Sequence, residues 1–204
     1  MSNNFLIVTC EDHVNYQYFA KFKKVGVERG CIDIINHNEV LDYAISDFDN
    51  VLDEEIDVIK DKAISFQQLS CDKDFLDGEE AIKLAQEHGA DKIVLVAKPT
   101  KRYDMNFSLI HLVQKYEIQV INKDTCLFLI KKGSMNLHFD QFQGYTFVTF
   151  YPLTDCTISI SGLKYAADNL TLAAHTLGAY SNAFIPYQDG VVTTDADLIC
   201  IMTR

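Results

Sequence analysis

The chain has 204 residues, is 48% hydrophobic and carries a formal net charge of −11. This length fits one large domain or two small ones, with enough apolar content to fill either. The acidic balance argues against a nucleic-acid or anionic-membrane surface, because phosphate backbones are met by clustered Lys and Arg, and here the basic residues are scattered apart from small groups at 21–24 and 131–132.

In chain order, Phe5 to Cys10 reads as a strand, Val14 to Lys24 as partly helical, Val25 to Val27 as a strand and Cys31 to His37 as a short helix. Strand Tyr43 to Ile45 precedes an acidic helix from Asp53 to Asp61, and strand Ala63 to Phe66 precedes a helix from Gly78 to His88 that Gly89 terminates. Strand Ile93 to Ala97 leads to a helix from Asn106 to Tyr116, and Ile118 to Ile121 closes the series. Alternation of this kind predicts a doubly wound α/β domain over residues 1–122, its short apolar strands buried on both faces of a parallel sheet. After Asn122 the texture changes to short β-like runs, Cys126 to Lys131, Met135 to Phe139, Tyr145 to Phe150, Thr157 to Ser161, Val191 to Thr194 and Leu198 to Met202. Gly133, Gly144, Gly162 and Gly190 punctuate them. That spacing predicts a small all-β sandwich over residues 123–204.

The six cysteines show no Cys-x-x-Cys spacing and lie mostly in apolar runs, as reduced thiols of a cytoplasmic protein do. The six histidines show no metal-ligand spacing. Phe5 to Val8 is too short for a signal peptide and lacks its basic start, and no apolar run reaches the length of a membrane span, so no membrane association is expected.

Chemistry is concentrated in four polar segments that each close a strand-like run: Glu28-Arg29-Gly30, Asp47-Phe48-Asp49, Asp72-Lys73-Asp74-Phe75-Leu76-Asp77 and Arg102-Tyr103-Asp104. In a parallel sheet the carboxyl ends share one edge, where open α/β sheets bind their ligands. Together the segments read as one acidic, metal-binding phosphate site. A solvated turn is the ordinary reading of any single Asp-x-Asp pair, and roughly two such pairs arise by chance in this composition. Position favours Asp47/Asp49 and Asp72/Asp74, which follow apolar strands, over Asp195/Asp197, which falls in a stretch expected to be β.

These segments, with two later ones, resemble the thiamine pyrophosphokinase family. The family's Gly-Asp-Phe-Asp-Ser is matched by Ser46-Asp47-Phe48-Asp49-Asn50, its Glu-Lys-Asp-x-Thr-Asp by residues 72–77, its Gly-Gly-Arg-x-Asp-His by Lys101-Arg102-Tyr103-Asp104-Met105, and its late motifs by Gly162-Leu163-Lys164-Tyr165 and Ser181-Asn182. The resemblance implies a Rossmann-like N-terminal domain, a β-sandwich C-terminal domain and a homodimer with its active sites at the interface. It implies Mg²⁺-dependent transfer of pyrophosphate from ATP to thiamine. Asp47, Asp49 and Asp77 would be the Mg²⁺ ligands, since a hard cation takes clustered carboxylate oxygens. Glu28, Gly30, Lys73 and Arg102 would bind ATP, and Asp74, Arg102 and Asp104 would serve catalysis. Tyr165 would face the cationic heterocycle, with Ser181 and Asn182 as polar contacts; the alternative for Tyr165 is a place in the sandwich core.

The sequence departs from the family where its glycine-rich turn is Lys98-Pro99-Thr100-Lys101, because Pro99 offers no N–H to a phosphate. Lys98 and Lys101 would substitute side-chain charge. Ser46 stands at a family glycine and Met105 at a family histidine. Two other functions stay open on these residues: a non-catalytic sensor of thiamine or its diphosphate, and a pyrophosphokinase for another hydroxylated heterocycle.

Overall fold

The computed structural model describes residues 2–12, 14–70, 76–176 and 178–204, which fall into two compact units. One comprises residues 1–107 with 120–123; the other comprises residues 108–119 with 124–204.

The first unit contains β1 (Asn4–Val8), a short 3-10 helix (Tyr16–Phe19), β2 (Lys23–Gly26), α1 (Arg29–Asn36), β3 (Leu41–Ser46), α2 (Asp53–Lys62), β4 (Ala63–Gln68), α3 (Asp77–Glu87), β5 (Lys92–Val96), the start of α4 (Tyr103–Tyr116) and β6 (Gln119–Ile121). Strands β4, β3, β2, β1 and β5 pair in that order and all run parallel. The ends of β2, β3 and β5 therefore lie along one edge, and the segments predicted to carry chemistry start there. Helix α3 packs on β1 and β3, which carries its first residue, Asp77, toward the same edge.

Local sequence explains these elements. Helix α2 has Asp53, Glu54 and Glu55 in its first turn and Lys60 and Lys62 in its last, the charge order that suits the helix dipole. Glu55 also accepts a hydrogen bond from the Leu52 N–H at 3.1 Å, closing the helix start. Helix α1 begins hard against β1: a Cβ on Gly30 would overlap the Val8 carbonyl, so only glycine lets the two backbones meet. Leu6, Val8, Ile34, Leu41, Ile59, Val94 and Val96 fill the core of this unit, each stabilising by roughly 1.5–3 kcal/mol through burial.

Burial on both faces, expected of every strand here, fails for β4. Ile64 is 73% exposed, because among the described residues β4 pairs only with β3 and stands at the sheet edge.

The second unit holds the rest of α4, β7 (Thr125–Ile130), β8 (Gly133–Leu137), the one-turn α5 (Phe139–Phe142), β9 (Phe147–Pro152), β10 (Cys156–Ser161), β11 (Ala167–Leu172), β12 (Gly190–Thr194) and β13 (Leu198–Thr203). Strand β13 pairs antiparallel with both β7 and β9, and a second antiparallel sheet runs β11-β10-β12-β8. Burial alternates along β9 and β10, as in sheets with one wet face.

Three readings change here. Strand β11 went unpredicted because its mostly exposed sequence, Ala-Asp-Asn-Leu-Thr-Leu, lacks alternation. The strand expected to reach Phe139 stops at Leu137, since the Asp189 carboxylate accepts the Phe139 N–H at 2.8 Å and starts a helical turn. Asp195 and Asp197 lie in the turn between β12 and β13, where they accept the N–H groups of Thr157 and Lys132. Among the described residues no helix is long and apolar enough to cross a membrane.

Candidate active site

Glu28, Asp47 and Asp77 converge in the first unit, one oxygen from each lying within 4.8 Å of the others, all three residues half-buried. Each is placed by its element. Glu28 follows β2 and precedes α1, Asp47 follows β3, and Asp77 opens α3. The Glu28 backbone sits at φ 50° and that of Phe48 at φ 61°, the left-handed region that side chains seldom adopt.

Glu28 holds the neighbouring loop through one carboxylate. It accepts the Phe48 N–H at 3.0 Å and the Asn50 N–H at 3.1 Å, and it hydrogen-bonds the Ser46 hydroxyl. The same Ser46 oxygen, fully buried, lies 3.0 Å from an Asp77 oxygen. A hydroxyl has one proton to donate, so it cannot satisfy two carboxylates at once. Burial pushes the Glu28 carboxyl above its ordinary value, and a hydrogen bond with Asp47 adds to the rise, while the bonds from Ser46, Asn50 and Phe48 oppose it. The arrangement concentrates negative charge and hard oxygen donors at a sheet edge, which suits a cation.

Asp49, expected beside Asp47 and Asp77, is exposed and hydrogen-bonded to the Asn50 amide. Gly30 is the close-packed start of α1, and Arg29 is tied between Glu11 and Glu55. Arg102 and Asp104 form an exposed fork, with Nη2 to Oδ2 at 2.5 Å and Nε to Oδ1 at 3.3 Å, which lowers the Asp104 carboxyl below its ordinary value. The turn before them is stapled by Asn106, whose amide accepts the Thr100 N–H and donates to the Thr100 carbonyl. Lys98 reaches back to the Glu11 carbonyl and stands 3.8 Å from the buried Asp12. Asp72, Lys73 and Asp74 lie outside the described residues.

In the second unit the segments 162–165 and 181–184 run side by side: Leu163 bridges Phe184, and the Lys164 N–H donates to the Ala183 carbonyl at 2.9 Å. A Cβ on Gly162 would overlap the Asp189 carbonyl, so glycine alone permits this approach. Tyr165 is 56% exposed with the Lys164 ammonium 5.4 Å from its ring centroid, which removes it from the core. Ser181 is exposed, whereas Asn182 is buried against the Tyr165 main chain. The lining of a groove of about 530 Å³ in this unit includes Ser159, Ser161, Ala166, Asp168 and Thr193.

Residues 10–124 match the family model of the thiamin pyrophosphokinase catalytic domain, and residues 134–199 match that of the thiamin pyrophosphokinase vitamin B1 binding domain. The chain belongs to the thiamine pyrophosphokinase family. A thiamine pyrophosphokinase of Bacillus subtilis is 23% identical over 168 residues, 79% of this chain and 78% of that protein. The solved structure of a thiamin pyrophosphokinase family protein from Enterococcus faecalis superposes with a TM-score of 0.86 at 18% identity, covering 99% of each chain. Thiamin pyrophosphokinase from Candida albicans gives a TM-score of 0.83 at 15% identity, over 100% of this chain and 90% of that one. At such identities these superpositions show a shared fold.

Against the thiamine pyrophosphokinase motifs, two assignments stand out. Glu28, first read as an ATP contact, belongs spatially with Asp47 and Asp77. Ser46, read only as a replaced glycine, is the hydroxyl between two carboxylates. Its signal in the sequence was slight: a small polar residue ending a strand immediately before an acid.

Proposed function

We propose that this protein is a Mg²⁺-dependent thiamine pyrophosphokinase, forming thiamine diphosphate and AMP from thiamine and ATP. The thiamine hydroxyl oxygen bonds to the β-phosphorus of ATP as its proton passes to solvent, the bond from that phosphorus to the α,β-bridging oxygen breaks, and AMP departs with that oxygen. The observation that carries the reading is the convergence of Glu28, Asp47 and Asp77 within the stretch matching the family's catalytic domain.

Three carboxylate oxygens within 4.8 Å fit a hard cation, since oxygens on opposite sides of one Mg²⁺ stand roughly 4.2 Å apart and waters complete its octahedron. Glu28, Asp47 and Asp77 would hold it, and Asp49, on the same loop, would bind through water if at all. When bound, the ion supplies charge to the phosphate oxygens. The chain's own residues position and neutralise, which is most of what such a transfer asks of a protein. Arg102 would meet the phosphates, with Asp104 holding its guanidinium. With its proton affinity lowered by Arg102, Asp104 is a weak base and serves orientation better than proton abstraction. Lys73 and Asp74 keep the phosphate-binding and catalytic roles that the family motif gives them.

The exposed Tyr165 ring, and a groove whose lining includes its chain neighbour Ala166, form the thiamine side of this reading. The groove has the volume of a small-ligand pocket, and Asp168 gives it a negative charge that suits a cationic heterocycle. The finer fold reading, a Rossmann-like doubly wound domain followed by a β-sandwich, is supported by the parallel order of β4 to β5 and, in the second unit, by the antiparallel strands β7, β13 and β9 and the four-stranded antiparallel sheet. Assembly as a homodimer and residence in the cytoplasm complete the proposal; the free thiols of Cys10, Cys31, Cys126, Cys156 and Cys200 agree with a reducing compartment.

Chromatographic detection of AMP and thiamine diphosphate from ATP, thiamine and Mg²⁺ tests the activity. Equimolar appearance of both, abolished by chelation, is expected; thiamine binding without AMP would instead identify a sensor.

A further inference from the structure

We infer that Asn182 is a positioning residue that sets the substrate-facing pose of Tyr165 through the Tyr165 main chain, without touching the substrate itself. The inference rests on the thiamine reading above and refines it.

Asn182 is 4% exposed and its amide is spent inside the protein. Oδ1 accepts the Tyr165 N–H at 2.9 Å and the Ala183 N–H at 2.9 Å, while Nδ2 donates to the Tyr165 carbonyl at 2.8 Å. Both lone pairs of the amide oxygen are thereby used. Rotating the amide by half a turn would set its NH₂ against two N–H donors, so the network fixes its orientation. The Asn182 main chain is anchored in turn, exchanging hydrogen bonds of 2.9 and 2.8 Å with Val148 of β9. One buried side chain thus ties both polar groups of the Tyr165 backbone to a strand, and the ring projects outward at 56% exposure. An aromatic face held this way loses little freedom on meeting a ligand, and the binding free energy keeps what ordering would otherwise cost.

A double-mutant cycle on thiamine binding, read by calorimetry on the full chain, tests this. Tyr165→Ala alone weakens binding about tenfold, the worth of a desolvated cation–aromatic contact, and Asn182→Ala alone weakens it by a similar factor. If Asn182 acts through Tyr165, the double variant is no weaker than Tyr165→Ala within about twofold. A direct Asn182 contact would multiply the two losses to about a hundredfold, and that result overturns the inference. In turnover assays the Asn182 loss falls on the thiamine KM and not on kcat. Should Asn182→Ala fail to fold, Asn182→Asp keeps the acceptor and removes the donor to the Tyr165 carbonyl, and it enters the same cycle. Hydrogen exchange of the Tyr165 amide gives a readout free of thiamine: it accelerates at least tenfold in Asn182→Ala, and unchanged protection refutes the clamp. Wild-type protein that binds no thiamine overturns the substrate reading, and with it the role of the clamp in recognition, whatever the exchange data show.

Discussion

Replacing Asp47 by Asn removes one negative charge from the cluster while changing almost no volume. With carboxylate oxygens of Glu28, Asp47 and Asp77 within 4.8 Å of one another, each fully charged pair repels by roughly 3.5 kcal/mol at an effective dielectric near 20. All three residues are half-buried, so water screens much of this, and neighbouring donors such as the Ser46 hydroxyl relieve more; about 1–2 kcal/mol of strain remains to be released. For a chain of this size that corresponds to a melting temperature about 2–8 °C higher in the metal-free protein. In the wild type, Mg²⁺ at ten times its Kd restores about 1.4 kcal/mol by binding only the folded state, and Asp47→Asn abolishes that response. Asp49→Asn, altering an exposed residue, leaves metal-free stability within about 0.5 kcal/mol. Differential scanning fluorimetry in chelator and in a Mg²⁺ series measures all of this. A metal-free Asp47→Asn protein that melts below wild type and still gains stability from Mg²⁺ refutes the reasoning.

Glu28→Gln changes the pH dependence of the metal-free protein. Burial raises the folded pKa of Glu28 above its unfolded value, so the wild type carries no penalty below the unfolded pKa and loses stability as pH rises from there through the folded pKa. The melting temperature of Glu28→Gln minus that of wild type should therefore grow as pH rises above the ordinary carboxylate range, and a flat difference counts against a strained Glu28. Gly30→Ala drives a Cβ into the Val8 backbone and should cost about 3 kcal/mol or more; a soluble variant with wild-type melting would show that α1 can withdraw from β1. Tyr165→Ala should raise the thiamine KM about tenfold with little change in melting temperature, since an exposed ring contributes a cation contact and not core packing. Collapse of the fold with an unchanged KM would return Tyr165 to the core.

The alternation of strands and helices was legible because its period depends on local residues: Ile93 to Ala97 or Leu198 to Met202 announce strands wherever they pair. Position in the sheet was not, because nothing in Ala63 to Phe66 says that β4 has a partner on one side only. Strand β11 was invisible for the complementary reason, only Leu172 of its six residues being buried while the others face solvent or the groove. Within the site, spacing located the acidic loops but not the direction of each carboxylate. Asp47 and Asp49 are equivalent in an Asp-x-Asp motif, yet the left-handed backbone at Phe48 turns one into the cluster and leaves the other in water. Asn182 was read as a ligand contact because a polar motif residue suggests one, and only the distances reveal that its amide serves the chain.

The strained backbone and the charge cluster are one device. Glu28 and Phe48 both occupy positive φ, a cost of order 1–3 kcal/mol for each, and each secures the other, because the Glu28 carboxylate accepts the Phe48 N–H. A glycine at position 28 would relax the backbone but remove the carboxylate that pins the loop, and a relaxed loop would let Asp47 swing away from Asp77. On the proposed reading the fold uses this strain to hold like charges together, where a cation would find them. Ser46 is fully buried between two of these acids. Its single proton can be donated to only one of the two carboxylates at a time, so Ser46 links Glu28 and Asp77 in one hydrogen-bonded cluster.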